Sequence, residues 1–148
     1  MPLTIRPIVE ADRAEWDALY AGYAAFYNVT QTTEMRDTVW SWLHNPSHET
    51  KGFVAQDDTG KLIGLTHYRP FARPLSASIG GFLDDLFVTP EARGSGAAKA
   101  LINAVASEGK RRGWTVIRWI TAEDNYRARS LYDKVAEKTK WTTYDVRL

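Results

Sequence analysis

The sequence predicts an α/β fold: a single domain spanning residues 1–148, with helices on both faces of a mixed sheet. Three observations support this prediction. The chain has 148 residues, which suits one domain and would leave two domains too small to bury a core. Some segments repeat apolar residues at helical spacing, and others alternate as strands do. A long helical segment separates two strands in the second half, so those two strands should be parallel.

Each predicted element rests on a local signal. Asp12 suits the N-cap of a first helix, Thr33 the cap of a second, and Pro46 stops that second helix. Gly113 suits the end of the long helix. The predicted order is a strand at 3–7, helices from 12 and from 33, an antiparallel meander at 53–55, 62–68 and 79–88, a helix after 96, a strand at 115–121, a short helix at 125–135 and a last strand at 141–148.

Composition excludes several classes of protein. The net charge of +1 gives no bulk attraction to nucleic acid or to an anionic membrane. The absence of cysteine excludes disulfides, thiolate metal sites and a catalytic thiol. The three histidines lack metal-ligand spacing, so no metal is expected. With neither a long apolar run nor a signal-peptide pattern at the start, the expected compartment is the cytoplasm.

A glycine-rich loop lies between a predicted strand and the long helix. Gly94 and Gly96 would let backbone N–H groups point together at an anion, and Arg93 adds a full charge beside them. This pattern favours a phosphate or pyrophosphate, although a glycine-rich turn without a ligand stays an alternative. The Walker and dinucleotide-binding fingerprints are both missing.

Two motifs carry a resemblance to a known family. Arg93, Gly96 and Ala98 follow the pattern Arg-x-x-Gly-x-Gly/Ala, and Asn125, Ala128, Leu131 and Tyr132 follow Asn-x-x-Ala-x-x-Leu-Tyr. With both motifs in order, the chain resembles the Gcn5-related N-acetyltransferases (GNAT). Its tail looks closest to the yeast histone and D-amino-acid acetyltransferase subgroup, and its strand at 83–88 resembles that of the diamine acetyltransferases, which commonly have Glu at the position of Asp84.

The resemblance implies acetyl-CoA as the acyl donor and a set of residues that bind it. This predicted cofactor set is Leu86, Phe87, Val88, Arg93, Gly94, Ser95, Gly96, Ala97, Ala98, Lys99, Asn125 and Tyr132. By the same resemblance, the backbone of residues 86–88 stabilises the thioester oxygen and Tyr132 donates a proton to the departing thiolate. The corresponding alternatives are a core-packing role for Tyr132 and a purely helix-capping role for Asn125.

The acceptor chemistry requires a base. Freeing an alkyl amine at pH 7 costs about 4–5 kcal/mol, which a carboxylate or a water chain can offset. Asp84 is the predicted base, with a solvated carboxylate as the alternative. Asp84 and its neighbour Asp85 would point to opposite faces of a regular strand, and the resemblance implies a bulge here. The predicted substrate-binding residues are Tyr23, Phe26, Tyr27, Asp84 and Asp85.

The predicted activity is transfer of the acetyl group to a primary amine of a small molecule such as a polyamine or an amino acid. Two alternatives stay open: a protein or histone lysine acetyltransferase, and a non-catalytic acyl-CoA-binding sensor module. Neither nucleic acid nor a membrane is an expected partner. The alternating residues at 141–148 predict a homodimer through the C-terminal strand, which the yeast subgroup exchanges between subunits. The alternative is a monomer whose last strand folds back onto its own domain.

Overall fold

A five-stranded sheet forms the middle of the molecule in the computed structural model, which describes residues 2–148. Met1, the first residue of the predicted domain, lies outside the described residues. The elements in chain order are β1 (Thr4–Pro7), α1 (Arg13–Phe26), α2 (Thr33–His44), β2 (Lys51–Gln56), β3 (Leu62–Arg73), β4 (Ser78–Val88), α3 (Ala97–Arg112), β5 (Ile117–Arg118) and α4 (Tyr126–Val135). Short 3₁₀ turns lie at Glu10–Asp12, Pro74–Ser76 and Pro90–Ala92.

The sheet is mixed, as predicted. Its order is β1-β2-β3-β4-β5, in which the first four strands are antiparallel neighbours and β4 pairs with β5 in parallel. The long crossover through α3 makes this parallel pair possible. The predicted α/β class and its mixed sheet are confirmed.

Helices cover both faces of the sheet and divide the core into two sides. On one side, α1 buries Trp16 and Leu19 against Leu65 and neighbouring strand residues, and α2 packs outside them. On the other side, α3 buries Leu101 and Val105 beneath the sheet. Apolar residues at helical spacing on α1 and α3 explain why each helix buries one stripe.

The helix ends are set by local polar contacts. The Thr32 hydroxyl accepts a hydrogen bond from the Met35 N–H at 3.1 Å, so Thr32 caps α2 and the prediction of Thr33 was wrong by one residue. Asp12 does precede α1, but its carboxylate binds Arg6 at 2.8 Å instead of capping the helix. Gly113 ends α3 in a left-handed conformation with a φ of 78°, which glycine adopts readily, as predicted.

The last two predicted strands differ from the structure. The strand predicted at 115–121 is reduced to Ile117–Arg118, because β4 and β5 pair only at Gly81 and Phe82 and then separate. The strand predicted at 141–148 was wrong for the single chain, where these residues have no regular structure. A strand needs a neighbour for its hydrogen bonds, and an alternating sequence cannot supply one.

The C-terminal segment, residues 137–148, is instead open to solvent. Its large apolar side chains are almost fully exposed: Trp141 by 87%, Tyr144 by 90%, Val146 by 87% and Leu148 by 119% relative to a reference residue. None of the helices within residues 2–148 combines the length and apolar character that crossing a bilayer requires.

Candidate active site

A cavity of about 440 Å³ opens where β4 and β5 separate, a size typical of small-molecule sites. The end of β4, the start of α3, the start of α4 and the end of α1 enclose it. Its lining consists of Phe26, Tyr27, Leu86, Phe87, Val88, Ala92, Arg93, Gly94, Gly96, Ala97, Ala98, Lys99, Asn125, Arg127, Ala128, Leu131 and Tyr132.

The glycine-rich loop forms one wall of this cavity. Gly94 and Gly96 have φ values of 84° and 87°, which L side chains rarely adopt. A Cβ added at either glycine would meet no heavy atom within 4 Å, so the backbone faces open space at the start of α3. Lys99 and Arg127 also line the cavity and add positive charge. The wall therefore suits the phosphates of a coenzyme A molecule.

Phe26 and Tyr27, at the end of α1, also line the cavity. The Arg93 guanidinium lies 5.2 Å from the Phe26 ring centroid. The Asn125 amide Nδ2 donates a hydrogen bond to the Tyr27 hydroxyl at 3.1 Å, which joins the end of α1 to the start of α4. The same amide group caps α4, since its Oδ1 accepts from the Ala128 N–H at 3.4 Å. Phe26 and Tyr27 were predicted to bind the acceptor, yet the structure places them beside the predicted cofactor residues.

Tyr132 lies on α4 and reaches the same cavity. Its ring packs edge-on against Trp119 with centroids 5.3 Å apart, which fixes its orientation. Burial, followed by the nearby Tyr27, raises the pKa of Tyr132 to about 12. The phenol therefore keeps its proton at neutral pH and can donate a hydrogen bond.

Residues 86–88 of β4 form the floor of the cavity. They pair with β3 on one side, but β5 has already separated from β4 at this point. The backbone groups on that open side of β4 are therefore available to a ligand in the cavity. This separation is the physical basis for the predicted role of residues 86–88.

A β-bulge precedes this floor, as the resemblance implied. His67 of β3 pairs with Asp85 and Tyr68 pairs with Leu83, so Asp84 is the extra residue on β4. The bulge shifts the register by one residue, so Asp84 and Asp85 do not follow the strict alternation of a regular strand.

Asp84 is the more exposed of the two carboxylates. Its oxygens accept hydrogen bonds from Arg69 Nε at 3.1 and 3.3 Å. Burial raises the pKa of Asp84 above its usual value, although the Arg69 charge and hydrogen bond act in the opposite direction. A raised pKa suits a group that must take a proton near neutral pH.

Asp85 lies in a different environment beneath α1. Its Oδ2 accepts hydrogen bonds from the Tyr20 hydroxyl at 2.9 Å and from His67 Nδ1 at 2.8 Å. Burial acts to raise the pKa of Asp85, but the contact with His67 and the nearby Tyr20 and Tyr23 hydroxyls together act more strongly and hold it below its usual value. Burial, and then the Asp85 charge, raises the pKa of Tyr20 and of Tyr23, so both phenols stay protonated.

The structure brings together most of the predicted cofactor set. The exception is Ser95, which does not line the cavity and whose hydroxyl accepts a hydrogen bond from the Ala97 N–H at 3.3 Å. Asp84, Asp85 and Tyr23 lie outside the cavity lining; Tyr23 packs between Tyr27 and Phe87, with centroids 5.1 and 5.9 Å away.

Sequence reasoning missed several residues of this region, among them Arg69, which pairs with Asp84. Arg127 lines the cavity, and no pattern distinguishes it from other helix-surface arginines. Trp16 and His67 contact the Asp85 network, but each fits an apolar pattern in its own element. Within residues 2–148, the structure has no cluster of three or more His, Cys, Asp or Glu side chains able to hold a metal ion.

Comparison with known proteins identifies the family. The profile of the Acetyltransferase (GNAT) family matches residues 16–136. The chain belongs to this family. As a GNAT protein, it is an N-acetyltransferase that depends on acetyl-CoA.

Three known proteins are similar to this chain, one in sequence and two in fold. The chain is 30% identical over 143 residues to the D-amino-acid N-acetyltransferase HPA3 of Saccharomyces cerevisiae, covering 96% of this chain and 89% of the yeast protein. The aminoglycoside N-acetyltransferase AAC(6′)-Iy in complex with CoA has a TM-score of 0.83 at 20% identity, with 99% of this chain and 95% of that chain covered.

The third relative is a ribosomal-protein-alanine N-acetyltransferase from Brucella melitensis biovar Abortus 2308. It has a TM-score of 0.79 at 24% identity, with 99% of this chain and 100% of that chain covered. At such identities the two structures share the GNAT fold with this chain. Because one is named for small-molecule acceptors and the other for a protein, the fold alone does not select the acceptor.

Proposed function

We propose that this GNAT enzyme transfers the acetyl group of acetyl-CoA to the primary amine of a small molecule, such as an amino acid or a polyamine. The observation that carries this proposal is the charge beside the β4 bulge. Asp85 is a half-buried, hydrogen-bonded carboxylate, and Asp84 is paired with Arg69. Two carboxylates and one guanidinium leave a net charge of −1, which suits an acceptor with one ammonium group.

This charge favours an amino acid over a polyamine within the small amines. A polyamine carries several ammonium groups and would need more unpaired carboxylates than this region offers. An amino acid carries one ammonium group and one carboxylate, and Arg69 provides a cation beside the bulge. The name of the yeast relative, a D-amino-acid N-acetyltransferase, supports the same choice.

The reaction we propose is direct attack of the amine on the thioester. Asp84 takes the proton from the ammonium, and the freed nitrogen forms a C–N bond with the acetyl carbon. Backbone N–H groups of residues 86–88 stabilise the negative charge on the thioester oxygen. As the C–S bond breaks, Tyr132 donates a proton to the thiolate. The nitrogen loses its second proton as the amide forms, and solvent returns a proton to Tyr132 and takes the proton held by Asp84. The intact positions of Asp84 and Tyr132 argue against a sensor that only binds acyl-CoA.

The acetyl-CoA itself would lie along the cavity. The glycine loop, with Arg93, Lys99 and Arg127, would hold its phosphates, and residues 86–88 with Asn125 would hold its pantetheine arm. Ser95 would act indirectly, by supporting the start of α3.

An amine panel tests the proposed function. Purified protein is given acetyl-CoA with D- and L-amino acids, putrescine, spermidine, an aminoglycoside or a histone-tail peptide, and thiol release is measured. We expect turnover with small amines, highest for amino acids. Turnover of the peptide alone would instead support the lysine acetyltransferase, and binding of acetyl-CoA without turnover of any amine would support the sensor module.

We also infer that residues 1–148 form one N-acetyltransferase domain that pairs with a second copy through its C-terminal segment. The exposed apolar side chains at 141–148 support this inference. The cytoplasmic location stays a prediction from the sequence.

A further inference from the structure

A chain of three hydrogen-bonded side chains connects α1 to β4: Trp16 and His67 are buried, and Asp85 at its end is half-buried. Trp16 Nε1 donates a hydrogen bond to His67 Nε2 at 3.0 Å, and His67 Nδ1 lies 2.8 Å from Asp85 Oδ2. Trp16 is 0% exposed and His67 is 1% exposed, so water does not compete for these contacts. The chain runs from the centre of the core to the bulge of β4.

The contacts of His67 determine which of its ring nitrogens carries the proton. An indole N–H can only donate, so Nε2 must accept the hydrogen bond from Trp16 and carries no proton. The proton of the neutral ring is therefore on Nδ1, where it is donated to Asp85. Asp85 thus receives a hydrogen bond from His67 without an imidazolium charge that would cancel its own.

The same contacts fix the orientation of Asp85. The Tyr20 hydroxyl also donates to Oδ2, so neither side-chain bond uses Oδ1. The Thr66 hydroxyl donates to the Asp85 carbonyl oxygen at 2.7 Å and holds the backbone. The Asp85 side chain keeps 18% exposure, in contrast to the 2% of the His67 side chain. One oxygen is therefore anchored, and the carboxylate can still be reached.

We propose that Trp16 and His67 are positioning residues that hold Asp85 as a fixed anion for the ammonium group of the acceptor. This inference rests on the proposed function. Burying a carboxylate carries a desolvation cost, and apolar side chains of similar volume would commonly give equal stability. Two side-chain donors, from His67 and Tyr20, are directed at the Asp85 carboxylate beside the bulge, and a charge used for recognition explains them. Asp84, paired with Arg69, is then left to take the proton.

The first test reads the tautomer of His67 directly. In a ¹⁵N-labelled sample at pH 7, one of the three histidines should show the pattern of a neutral ring protonated on Nδ1. That signal should disappear in His67→Asn. In Trp16→Phe, the fixed pattern should give way to a mixture of tautomers. An imidazolium, or a ring protonated on Nε2, in the wild-type protein would overturn the proposal without any variant being needed.

The second test separates positioning from packing with a pair of variants. The amide nitrogen of His67→Asn can replace Nδ1 as a donor to Asp85, whereas His67→Leu removes the donor. With the panel amine of highest kcat/KM, we expect His67→Leu to raise the acceptor KM at least about tenfold, as loss of a hydrogen bond to a charged group implies. The acetyl-CoA KM should stay within roughly twofold of wild type, because no cofactor contact is changed.

The Asn variant should recover an acceptor KM within about threefold of the wild-type value, since its donor to the charged group is kept. His44→Leu, at an exposed histidine packed on Trp40, controls for a general effect of losing a histidine. Equal acceptor KM values in wild type and His67→Leu would overturn the positioning role. An absence of turnover by the wild-type protein would refute the proposed function, whereas the wrong tautomer would refute this inference alone.

Discussion

Asp84 and Asp85 are adjacent residues of the same type, yet their surroundings move their pKa values in opposite directions. Burial raises the pKa of Asp84, and hydrogen bonds from His67 and Tyr20 lower that of Asp85. Paired carboxylates of this kind can divide two tasks between them. At the scale of residues, this separation supports our proposal that Asp84 transfers the proton and Asp85 keeps a permanent charge.

The first prediction concerns the pH profile of Asp84→Asn. Because the pKa of Asp84 is raised, wild-type kcat/KM should fall as pH decreases through that value, which lies above the ordinary 3.8. The variant should not show this decrease in kcat/KM at low pH. Its kcat/KM at pH 7 should be roughly 10²–10⁴-fold below that of wild type, and it should recover as the pH approaches the pKa of the free amine near 10.4. Asp58→Asn, in the exposed β2–β3 turn, should keep the wild-type profile. An unchanged profile in Asp84→Asn would transfer the base role to another group or to water.

The second prediction concerns the phenol of Tyr132. Tyr132→Phe keeps the packing on Trp119 but removes the proton donor, so kcat should fall roughly 10²–10³-fold while the acetyl-CoA affinity stays near wild type. Tyr68→Phe is the matched control, since burial also raises the pKa of Tyr68 to about 12 and its ring lies outside the cavity. Steady-state kinetics and calorimetry measure both variants. Equal kcat values for the two would exclude Tyr132 from the chemical step.

At the scale of elements, local signals predicted most of the fold. The predictions of a glycine loop before α3 and of Asn125 as the cap of α4 are confirmed. Each depends on a signal contained within a few consecutive residues. The parallel pairing of β4 with β5 was predicted, but its short extent could not be, because that depends on how two distant strands diverge. His67 was missed for the same reason: its partners Trp16 and Asp85 lie 51 and 18 residues away in the chain.

The third prediction compares two glycines at opposite ends of α3. Gly96 and Gly113 both have positive φ values, of 87° and 78°, and both have open space where a Cβ would point. An alanine at either site should cost about 1–2 kcal/mol of folding free energy. Only Gly96→Ala should also weaken acetyl-CoA binding, at least about tenfold, because Gly96 lines the cavity and Gly113 does not. The measurements are melting temperatures with and without acetyl-CoA; an equal ligand-induced shift in both variants would contradict the phosphate assignment.

At the scale of the whole molecule, the single chain has an exposed apolar segment and an open sheet edge, which could bind each other between two copies of the chain. The C-terminal segment exposes Trp141, Tyr144, Val146 and Leu148. The strand β5 is the last strand of the sheet, so its outer edge has no strand beside it within residues 2–148. Natural proteins usually cover or pair such an edge. An alternating segment and an open edge are what an exchanged strand would require.

The last prediction is that the protein forms a homodimer through this segment. Burial of Val146 and Leu148 would contribute roughly 1.5–3 kcal/mol each, and Trp141 and Tyr144 would add further apolar contacts. Light scattering at micromolar concentration should therefore give about twice the monomer mass of 16.7 kDa. A chain truncated after Lys140 should be monomeric or insoluble. Tyr144→Asp, which keeps the full length but puts a charge into the contact, should shift the equilibrium towards monomer, whereas the conservative Arg147→Lys should not. A monodisperse monomer from the full-length protein would contradict the dimer, and a dimer that survives truncation would move the interface elsewhere.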